Sequence, residues 1–278
     1  MSDTVIEATG LRKEFGTAVA VDDVSLTLER GQSLAVVGES GSGKTTLARM
    51  LVGLETPTGG TLRVCGRPRP PGRVSSRERR RRAREMQIVF QDPYSSLDKL
   101  QRIGGVIEAS LDLHFSLTPG ERRKRALELL EAVGLAERHA TMLPRQLSGG
   151  QRQRVAIARA IAVEPQVLVL DEAVAALDVS IQAQILNLLA DIRERSGISY
   201  VFISHDLAVV HQISEVALVM SGGRVVERGP TGALLSDPQE EYTKSLRAAV
   251  PRPGWKPSRR AVSGSAANGS AASGTAAS

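Results

Sequence analysis

The sequence predicts an α/β fold built around a buried parallel sheet. Three aliphatic runs of strand length, SLAVV, VLVLD and YVFIS, show little polar–apolar alternation, as expected for strands covered on both faces. Segments with helical periodicity lie between them. The apolar 41% of the chain is mainly aliphatic, with only 3% aromatic residues. A chain of 278 residues with this composition can bury a sizeable core, which excludes a disordered or fibrous protein.

The first part of the chain predicts strands around a glycine-rich loop. Short apolar segments separated by Gly and Asp within residues 5–30 indicate a small β region. Ser33–Val37 is the first buried strand, and the loop after it enters a helical pattern at 46–54. The runs TLRVCG and MQIVF predict two further strands, the second continuing to Gln91.

The middle of the chain is predicted to be helical. Thr118-Pro119-Gly120-Glu121 has the form of a capping box with proline in the first turn, and Gly134 marks the end of that helix. A second amphipathic helix spans Gln151–Val163. Strands follow at 167–171, 200–204 and 216–220, and SGG after the last of them indicates a hairpin. Between the first two strands, a helix is predicted whose apolar face holds Ile181, Ile185, Leu188, Leu189 and Ile192.

The net charge of +6 is concentrated in one segment. Arg69–Arg84 holds eight arginines and one glutamate, whereas the rest of the chain holds 28 basic and 29 acidic residues. Such a charge run predicts a solvated loop or helix face. No apolar run reaches the roughly 18 residues of a membrane span, the N-terminus lacks a secretory apolar region, and the single Cys65 excludes an internal disulfide. We therefore expect a cytosolic chain that meets a membrane only through a partner.

The glycine-rich loop matches the phosphate-binding pattern G-x-x-x-x-G-K-[ST], with a predicted strand before it and a helix after it. Glycines let successive N–H groups face one point, where the helix N-terminus adds partial positive charge. Lys44 is expected to reach the β- and γ-phosphates of a nucleotide, and Thr45 to bind Mg²⁺. The alternative is a tight turn without a ligand. The predicted nucleotide-binding residues are Gly38, Glu39, Ser40, Gly41, Ser42, Gly43, Lys44, Thr45 and Thr46.

Two acidic residues after the apolar run Val167–Leu170 supply the second half of a nucleotide site. We expect Asp171 to hold Mg²⁺ and Glu172 to orient or deprotonate the attacking water. By itself, an apolar run followed by two acids is often a strand that ends at the surface. Its combination with the phosphate loop favours the functional interpretation.

The segment LSGGQ, at Leu147–Gln151, points to a family. Between such a loop and such a strand, it resembles the signature of ABC-type ATPases. Other positions follow in the order of that family: Gln91 resembles its Q-loop, Leu177-Asp178 its D-loop, and His205 in FISHD its switch histidine.

The resemblance implies a RecA-like P-loop core with an N-terminal antiparallel β region and an inserted α-helical subdomain. The implied ATPase domain covers residues 1–257, with the helical subdomain at about 92–165, and leaves 258–278 as a tail. We expect this Ser/Gly/Ala-rich tail to be disordered, because it cannot bury enough apolar surface to offset its ordering entropy.

The resemblance also implies roles for individual residues in a head-to-tail dimer, where the signature of one chain covers the γ-phosphate held by the other. Phe15 would stack on adenine, a role for which burial in the core is the competing interpretation. The implied roles are catalysis by Glu172, His205 and Gln91, Mg²⁺ binding by Thr45, Gln91 and Asp171, and contact with ATP across the dimer by Ser148, Gly149, Gly150, Gln151 and Asp178.

Three longer segments resemble ATP-binding subunits of dipeptide and oligopeptide importers: Val89–Asp98, Tyr200–Val210 and Asp237–Pro251. This narrower resemblance implies a C-terminal extension at about 230–257 and a place on the cytoplasmic face of the membrane. Its implied partners are a second ATPase subunit, identical or paralogous, a membrane permease and, indirectly, a solute-binding protein. Nickel importers share much of the pattern, so an ATPase that powers nickel import is the alternative.

Two stretches depart from the family pattern. Ala173-Val174-Ala175-Ala176 stands where the family has Pro-Thr-Ser-Ala, which removes a rigid φ angle and possible hydrogen bonds across the dimer. Asp98-Lys99-Leu100 replaces Asn-Pro-Arg near the expected permease contact. Hydrolysis is still expected, because Glu172 and Asp178 are present.

Two other function classes compete with this interpretation. A nucleic-acid-associated ABC ATPase could use Arg69–Arg84, but such proteins generally carry two cassettes or long coiled coils, and this sequence shows one cassette and no heptad run. A P-loop kinase or GTPase has no use for LSGGQ, and the guanine-reading Asn-Lys-x-Asp is missing from the sequence. We therefore expect no nucleic-acid partner.

Overall fold

A computed structural model of the protein describes residues 3–92 and 97–248. The predicted tail at 258–278 lies outside these residues, as do parts of the importer-like segments 89–98 and 237–251. Within the described residues, no helix combines the length and the apolar character needed to cross a membrane.

The N-terminal β region is an antiparallel sheet with the strand order β2-β1-β4-β5. Strands β1 (Thr4–Phe15) and β2 (Ala18–Glu29) form one long hairpin, where the sequence predicted several short segments. The pairing contains register shifts, one of them beside Gly10, which has a φ of 59°. The polar and glycine breaks therefore bulge the strands rather than end them. Strands β4 (Gly59–Val64) and β5 (Arg67–Pro68) complete the sheet.

The predicted parallel sheet is present as a second sheet. Its strands are β3 (Ser33–Val37), β6 (Met86–Val89), β7 (Val167–Asp171), β8 (Ser199–Ser204), β9 (Val216–Ser221) and β10 (Arg224–Pro230). Their order is β10-β9-β3-β8-β7-β6, and only β10 runs antiparallel to its neighbour among the described residues. Every residue of β3, β7 and β8 is buried, as the aliphatic runs predicted. The carboxyl ends of these strands share one edge of the sheet.

The helices begin and end at residues whose local chemistry explains the boundary. They are α1 (Lys44–Val52), α2 (Ser76–Glu85), α3 (Ile103–His114), α4 (Pro119–Ala132), α5 (Gly149–Ile161), α6 (Val179–Ser196), α7 (Leu207–Ile213), α8 (Thr231–Ser236) and α9 (Glu241–Ala248). Thr118 forms the predicted capping box with Glu121 at the start of α4, and Gly134, with a φ of 74°, follows its end. Helices α3 to α5 lie between β6 and β7, where the sequence predicts the helical subdomain.

Two apolar cores lie on opposite faces of the parallel sheet. Leu34 and Val36 of β3 belong to the core shared with β1, β2 and α1. Ala35 and Val37, which alternate with them, belong to the core shared with α3 to α7. Because β3 is packed from both sides, the glycine-rich loop that follows it starts from a fixed strand end.

Only part of the basic segment 69–84 is exposed to solvent. Ser75 caps α2, and most of the arginines of that helix are exposed. The side chain of Arg69, in contrast, is 8% exposed and forms an ion pair with the equally buried side chain of Glu85. The expectation of a wholly solvated charge run is therefore wrong for Arg69, because the buried pair ties this end of the segment to the fold.

Candidate nucleotide-binding site

The loop between β3 and α1 surrounds Lys44 with its own carbonyl groups. Lys44 is 4% exposed, and its Nζ donates hydrogen bonds to the carbonyl oxygens of Gly38 at 2.8 Å and Glu39 at 2.7 Å. Burial lowers the pKa of Lys44, while the nearby carboxylates of Glu172 and Asp171 act in the opposite direction. The ammonium is thus held by neutral acceptors, and a charged phosphate oxygen is a stronger acceptor that can replace one of them.

At two positions of the loop only glycine fits, because the backbone of a neighbouring strand leaves no room for a Cβ atom. A Cβ atom on Gly43 would lie 2.3 Å from the carbonyl oxygen of Ala20 in β2, and one on Gly38 would lie 2.2 Å from that of Met220 in β9. Gly43 also has a φ of 99°, which favours glycine. The shape of the loop is therefore fixed by the strands on either side.

The start of α1 leaves backbone donors for a ligand. Its N-cap residue is Gly43, which offers no side-chain acceptor to the first turn. The N–H groups of Lys44, Thr45 and Thr46 belong to this turn, where orphan donors and the helix dipole attract an anion. In the loop before it, Ser40 and Gly41 are exposed and Ser42 is buried. The carbonyl of Ser42 accepts a hydrogen bond from the N–H of Gly223 at 3.1 Å.

Two of the three residues predicted to bind Mg²⁺, Thr45 and Asp171, lie side by side. The hydroxyl of Thr45 donates to Oδ1 of Asp171 across 3.2 Å. Asp171 is 4% exposed, and burial raises its pKa although the hydrogen bond from Thr45 acts against the rise. Hydroxyl and carboxylate oxygens are ligands that Mg²⁺ accepts, and its other ligands in such sites are phosphates and water. The described residues contain no group of three His, Cys, Asp or Glu side chains that could hold a metal ion.

The next residue, Glu172, has an unusual backbone conformation. Its φ of 48° lies in the left-handed region, which side-chain-bearing residues adopt rarely and often at functional sites. Its N–H donates to the carbonyl of Ile203 in β8 at 3.0 Å, which holds the turn. Oε1 of Glu172 lies 3.5 Å from Nδ1 of His205. The turn therefore brings the predicted base and the predicted switch histidine together at the carboxyl edge of the sheet.

Gln91 lies close to the same edge in the sheet order. Strand β6 ends at Val89, two residues earlier than the sequence predicted, and Val89 pairs with Leu170 of β7. Gln91 is exposed. Its position after β6 leaves its roles in catalysis and Mg²⁺ binding as predictions.

Phe15 lies at the end of β1, beside the turn of the long hairpin. It is 49% exposed, and Nζ of Lys13 lies 4.7 Å from the centre of its ring. The competing interpretation, in which Phe15 belongs to the core, is therefore wrong. An exposed ring has a face available for stacking on a base, which stays a prediction.

The signature residues form the start of α5. Ser148 accepts a hydrogen bond from the N–H of Gln151 at 3.3 Å, and the side chain of Gln151 accepts one from the N–H of Ser148 at 2.9 Å. Ser148 and Gly149 are exposed, whereas a Cβ atom on Gly150 would lie 2.5 Å from Cγ2 of Ile181. Among the described residues, no hydrogen bond joins this capping box to the phosphate loop of the same chain. Contact with ATP across a dimer stays a prediction for these residues.

Asp178 caps α6. Its Oδ1 accepts hydrogen bonds from the N–H of Ile181 at 2.9 Å and from the hydroxyl of Ser180 at 2.8 Å, and these bonds hold its pKa below the usual value. Of the residues that depart from the family pattern, Val174 is 3% exposed and Ala175 is exposed. A hydroxyl at position 174 would point into the core, so the expected loss of a hydrogen bond across the dimer is wrong for Val174.

One residue at the phosphate loop has no signal in the sequence that assigns it there. The hydroxyl of Tyr242 in α9 accepts a hydrogen bond from the N–H of Glu39 at 2.9 Å, across 203 positions of the chain. The importer-like segment 237–251 includes this tyrosine but gives it no role. A contact over such a separation depends on how α9 packs, which local patterns do not reveal.

Comparisons with known proteins agree with this geometry. The sequence model of the family described as ABC transporter matches residues 21–175. The chain is 49% identical over 245 residues to a putative peptide import ATP-binding protein of Brucella abortus (strain 2308), covering 87% of this chain and 73% of that protein. It is 46% identical over 233 residues to the dipeptide transport ATP-binding protein DppF of Escherichia coli (strain K12), covering 84% and 69% of the two chains.

A solved structure shares the fold at 31% identity. It is the dimeric, post-hydrolysis state of the ATP-binding cassette MJ0796 bound to ADP and Pi, with a TM-score of 0.73 and coverage of 81% of this chain and 98% of that one. The predictions of a RecA-like cassette fold and of an ATP-binding, ATP-hydrolysing domain are thereby confirmed. The chain belongs to the ABC transporter family.

Proposed function

We propose that this chain is the ATP-hydrolysing subunit of a membrane importer of peptides. The observation that carries the proposal is the convergence of Lys44, the Thr45–Asp171 pair and the Glu172–His205 pair at one edge of the parallel sheet. The peptide cargo is supported by relatives from several bacteria, which are 43–49% identical and are named for peptide import or for dipeptide or oligopeptide transport.

ATP binds when its phosphates reach the ammonium of Lys44, which has three donor hydrogens. The ammonium keeps its hydrogen bond to the carbonyl of Gly38 and turns from the carbonyl of Glu39 to a phosphate oxygen, and the first N–H groups of α1 donate to the same anion. Thr45 and Asp171 would hold Mg²⁺, which neutralises phosphate charge when it is bound.

Hydrolysis uses the pair at the carboxyl end of β7. Glu172 accepts a proton from the attacking water or orients it, and His205 supports that water and contacts the γ-phosphate. The φ of 48° at Glu172 persists because the hydrogen bond to Ile203 maintains it, so the carboxylate is positioned before the substrate arrives.

Transport follows from closing and opening a dimer. ATP held by one phosphate loop is covered by Ser148, Gly149 and Gly150 of a second subunit. ATP therefore binds the closed dimer more tightly than the open one, and this difference in affinity shifts the population toward the closed dimer. The dimeric cassette MJ0796 supports this arrangement. Gln91 transmits the closing motion of the dimer to a membrane permease. Binding to this permease keeps the chain at the cytoplasmic face of the membrane.

The proposal is tested by purifying the chain with its permease and reconstituting the complex in lipid vesicles. We expect ATP hydrolysis that rises when a solute-binding protein loaded with di- or oligopeptide is added. Stimulation by nickel but not by peptide would favour the alternative cargo. Failure of the intact complex to bind ATP would overturn the proposed function.

A further inference from the structure

We propose that Tyr242 is a positioning residue for nucleotide binding, whose hydroxyl fixes the peptide group between Gly38 and Glu39 and, through it, the ammonium of Lys44. The inference rests on the proposed function, because it concerns affinity for ATP. It assigns a role to the C-terminal extension within the nucleotide site of its own chain.

The peptide group between Gly38 and Glu39 is hydrogen-bonded at both ends. Its N–H, on Glu39, donates to the hydroxyl oxygen of Tyr242 at 2.9 Å. Its carbonyl, on Gly38, accepts from Nζ of Lys44 at 2.8 Å. One rigid planar unit therefore connects the tyrosine to the lysine, because a peptide group rotates as a whole. An acceptor at the N–H end also polarises the amide, which strengthens its carbonyl as an acceptor for Lys44.

The tyrosine is itself held in place on the fold. Glu227 of β10 accepts hydrogen bonds from the N–H groups of Gln239 at 2.8 Å and Glu240 at 3.3 Å, just before α9 begins. These bonds lower the pKa of Glu227 against the opposing effect of burial. The ring of Tyr242 packs against the core on the helical side of the sheet, which also includes Leu246 from the next turn. The hydroxyl is thus placed at the loop by a fixed strand and an apolar contact.

The other restraints on the loop act on groups next to this N–H. The carbonyl of Glu39 accepts hydrogen bonds from the N–H of Ser42 at 3.2 Å and from Nζ of Lys44 at 2.7 Å, and the backbone of Gly38 lies against the carbonyl of Met220. The side chain of Glu39 is exposed, so it does not anchor the N–H end of the peptide. Without the phenol, the Gly38–Glu39 peptide can rotate and take the Gly38 carbonyl away from Lys44. The ammonium of Lys44 then occupies a wider range of positions before ATP binds. Binding must restrict the ammonium to one of them, and the cost of this restriction lowers the affinity for the phosphates.

The substitution Tyr242→Phe tests this role, because it removes the hydroxyl and leaves the ring packed against the core. Two control variants remove a hydroxyl elsewhere. Tyr200→Phe deletes a buried phenol that donates to the carbonyl of Leu189, and Ser245→Ala deletes the hydroxyl that bonds to the backbone carbonyl of Tyr242 on the same helix. The full-length chain is titrated with ATP and with AMP, and its melting temperature is measured.

We expect Tyr242→Phe to raise the Kd for ATP about two- to tenfold, the equivalent of one net hydrogen bond. The Kd for AMP should change by less than about twofold, because AMP lacks the phosphates that Lys44 contacts. Tyr200→Phe should lower the melting temperature and leave both affinities unchanged, and Ser245→Ala should change neither. An unchanged ATP affinity in Tyr242→Phe, or an equal loss for AMP, would overturn the positioning role. Because wild-type binding of ATP is measured alongside, that outcome leaves the proposed function standing.

Discussion

The hydroxyl of Thr45 and the carboxylate of Asp171 lie 3.2 Å apart, although 126 positions separate the two residues in the chain. This contact joins the start of α1 to the end of β7 and unites two short motifs into one site. Asp171 is 4% exposed, so its charged form has lost most of its hydration. Burial therefore destabilises the charged form of Asp171, although Arg49 and Lys44 partly offset this effect, and the charge lowers the stability of the folded chain.

The substitution Asp171→Asn should stabilise the chain in the absence of nucleotide, and more so at neutral than at acid pH. Burial raises the pKa of Asp171 above its ordinary value of 3.8, so the folded state binds the proton more tightly than the unfolded state does. The wild type therefore loses stability as the pH rises from 3.8 to the raised pKa, whereas asparagine does not titrate. Melting temperatures of both proteins at several pH values from about 4 to 7 measure the difference.

The advantage of Asp171→Asn should shrink toward acid pH, where the wild-type carboxyl is protonated and resembles the amide. Ser180→Ala is a useful control, because it changes a polar contact of the exposed Asp178 instead. A difference in melting temperature that is constant across the pH range would contradict a raised pKa at Asp171.

The substitution Glu172→Gln should retain ATP binding and lower turnover by more than about 100-fold, since the amide cannot accept the proton of the attacking water. The loss of hydrolysis should also trap an ATP-bound dimer, visible in size-exclusion chromatography. Glu164→Gln is the matched control, because Glu164 is also a glutamate with a positive φ but pairs with Arg125 on the surface. Normal turnover in Glu172→Gln would remove this residue from its role.

The substitution Gly43→Ala should abolish measurable ATP binding, because the new Cβ atom would lie 2.3 Å from the carbonyl oxygen of Ala20 at a φ of 99°. The strain of a forced contact and an unfavourable φ is about 1–3 kcal/mol for each. Gly120→Ala is the control, since a Cβ atom there has no neighbour within 4 Å and Gly120 has no positive φ. Equal ATP affinity in the two variants would show that the loop can move away from β2.

The sequence was sufficient to predict the parallel sheet and the phosphate loop, because both depend on local patterns. A run such as Val167–Leu170 must be buried on both faces, and a loop such as Gly38–Thr45 needs glycines where other backbone approaches. The capping box at Thr118–Glu121 was predictable for the same reason, since its hydrogen bonds span only three residues.

The features that the sequence did not predict depend on distant packing. The ion pair between Arg69 and Glu85 converts part of a charge run into a buried contact, because β5 and the end of α2 meet. The contact of Tyr242 with Glu39 depends on where α9 docks. The burial of Val174 likewise follows from tertiary structure, whereas the resemblance suggested a position that faces a second subunit.

The substitution Glu85→Ala should lower the free energy of unfolding by about 3 kcal/mol, because it leaves the buried guanidinium of Arg69 with only the longer ion pair to Glu78 at 3.8 Å. Lys244→Ala breaks the exposed pair with Glu241 and should cost less than about 0.5 kcal/mol. Urea denaturation of the two variants and the wild type measures both values. A small effect of Glu85→Ala would mean that water or the carboxylate of Glu78 replaces Glu85 beside Arg69, and it would contradict a stabilising role for the buried pair.

The substitution Ser148→Ala separates the role of the signature serine as a helix cap from its proposed contact with ATP on a second subunit. Ser148 with Gln151 and Thr118 with Glu121 form capping boxes of the same type at the starts of α5 and α4. Alanine at either cap should cost about 1 kcal/mol of stability. Only Ser148→Ala should also weaken the ATP-dependent dimer of a Glu172→Gln background, because Thr118 lies outside the proposed interface. Sedimentation of both double variants with ATP measures this difference, and equal dimer affinities would reduce Ser148 to a structural cap.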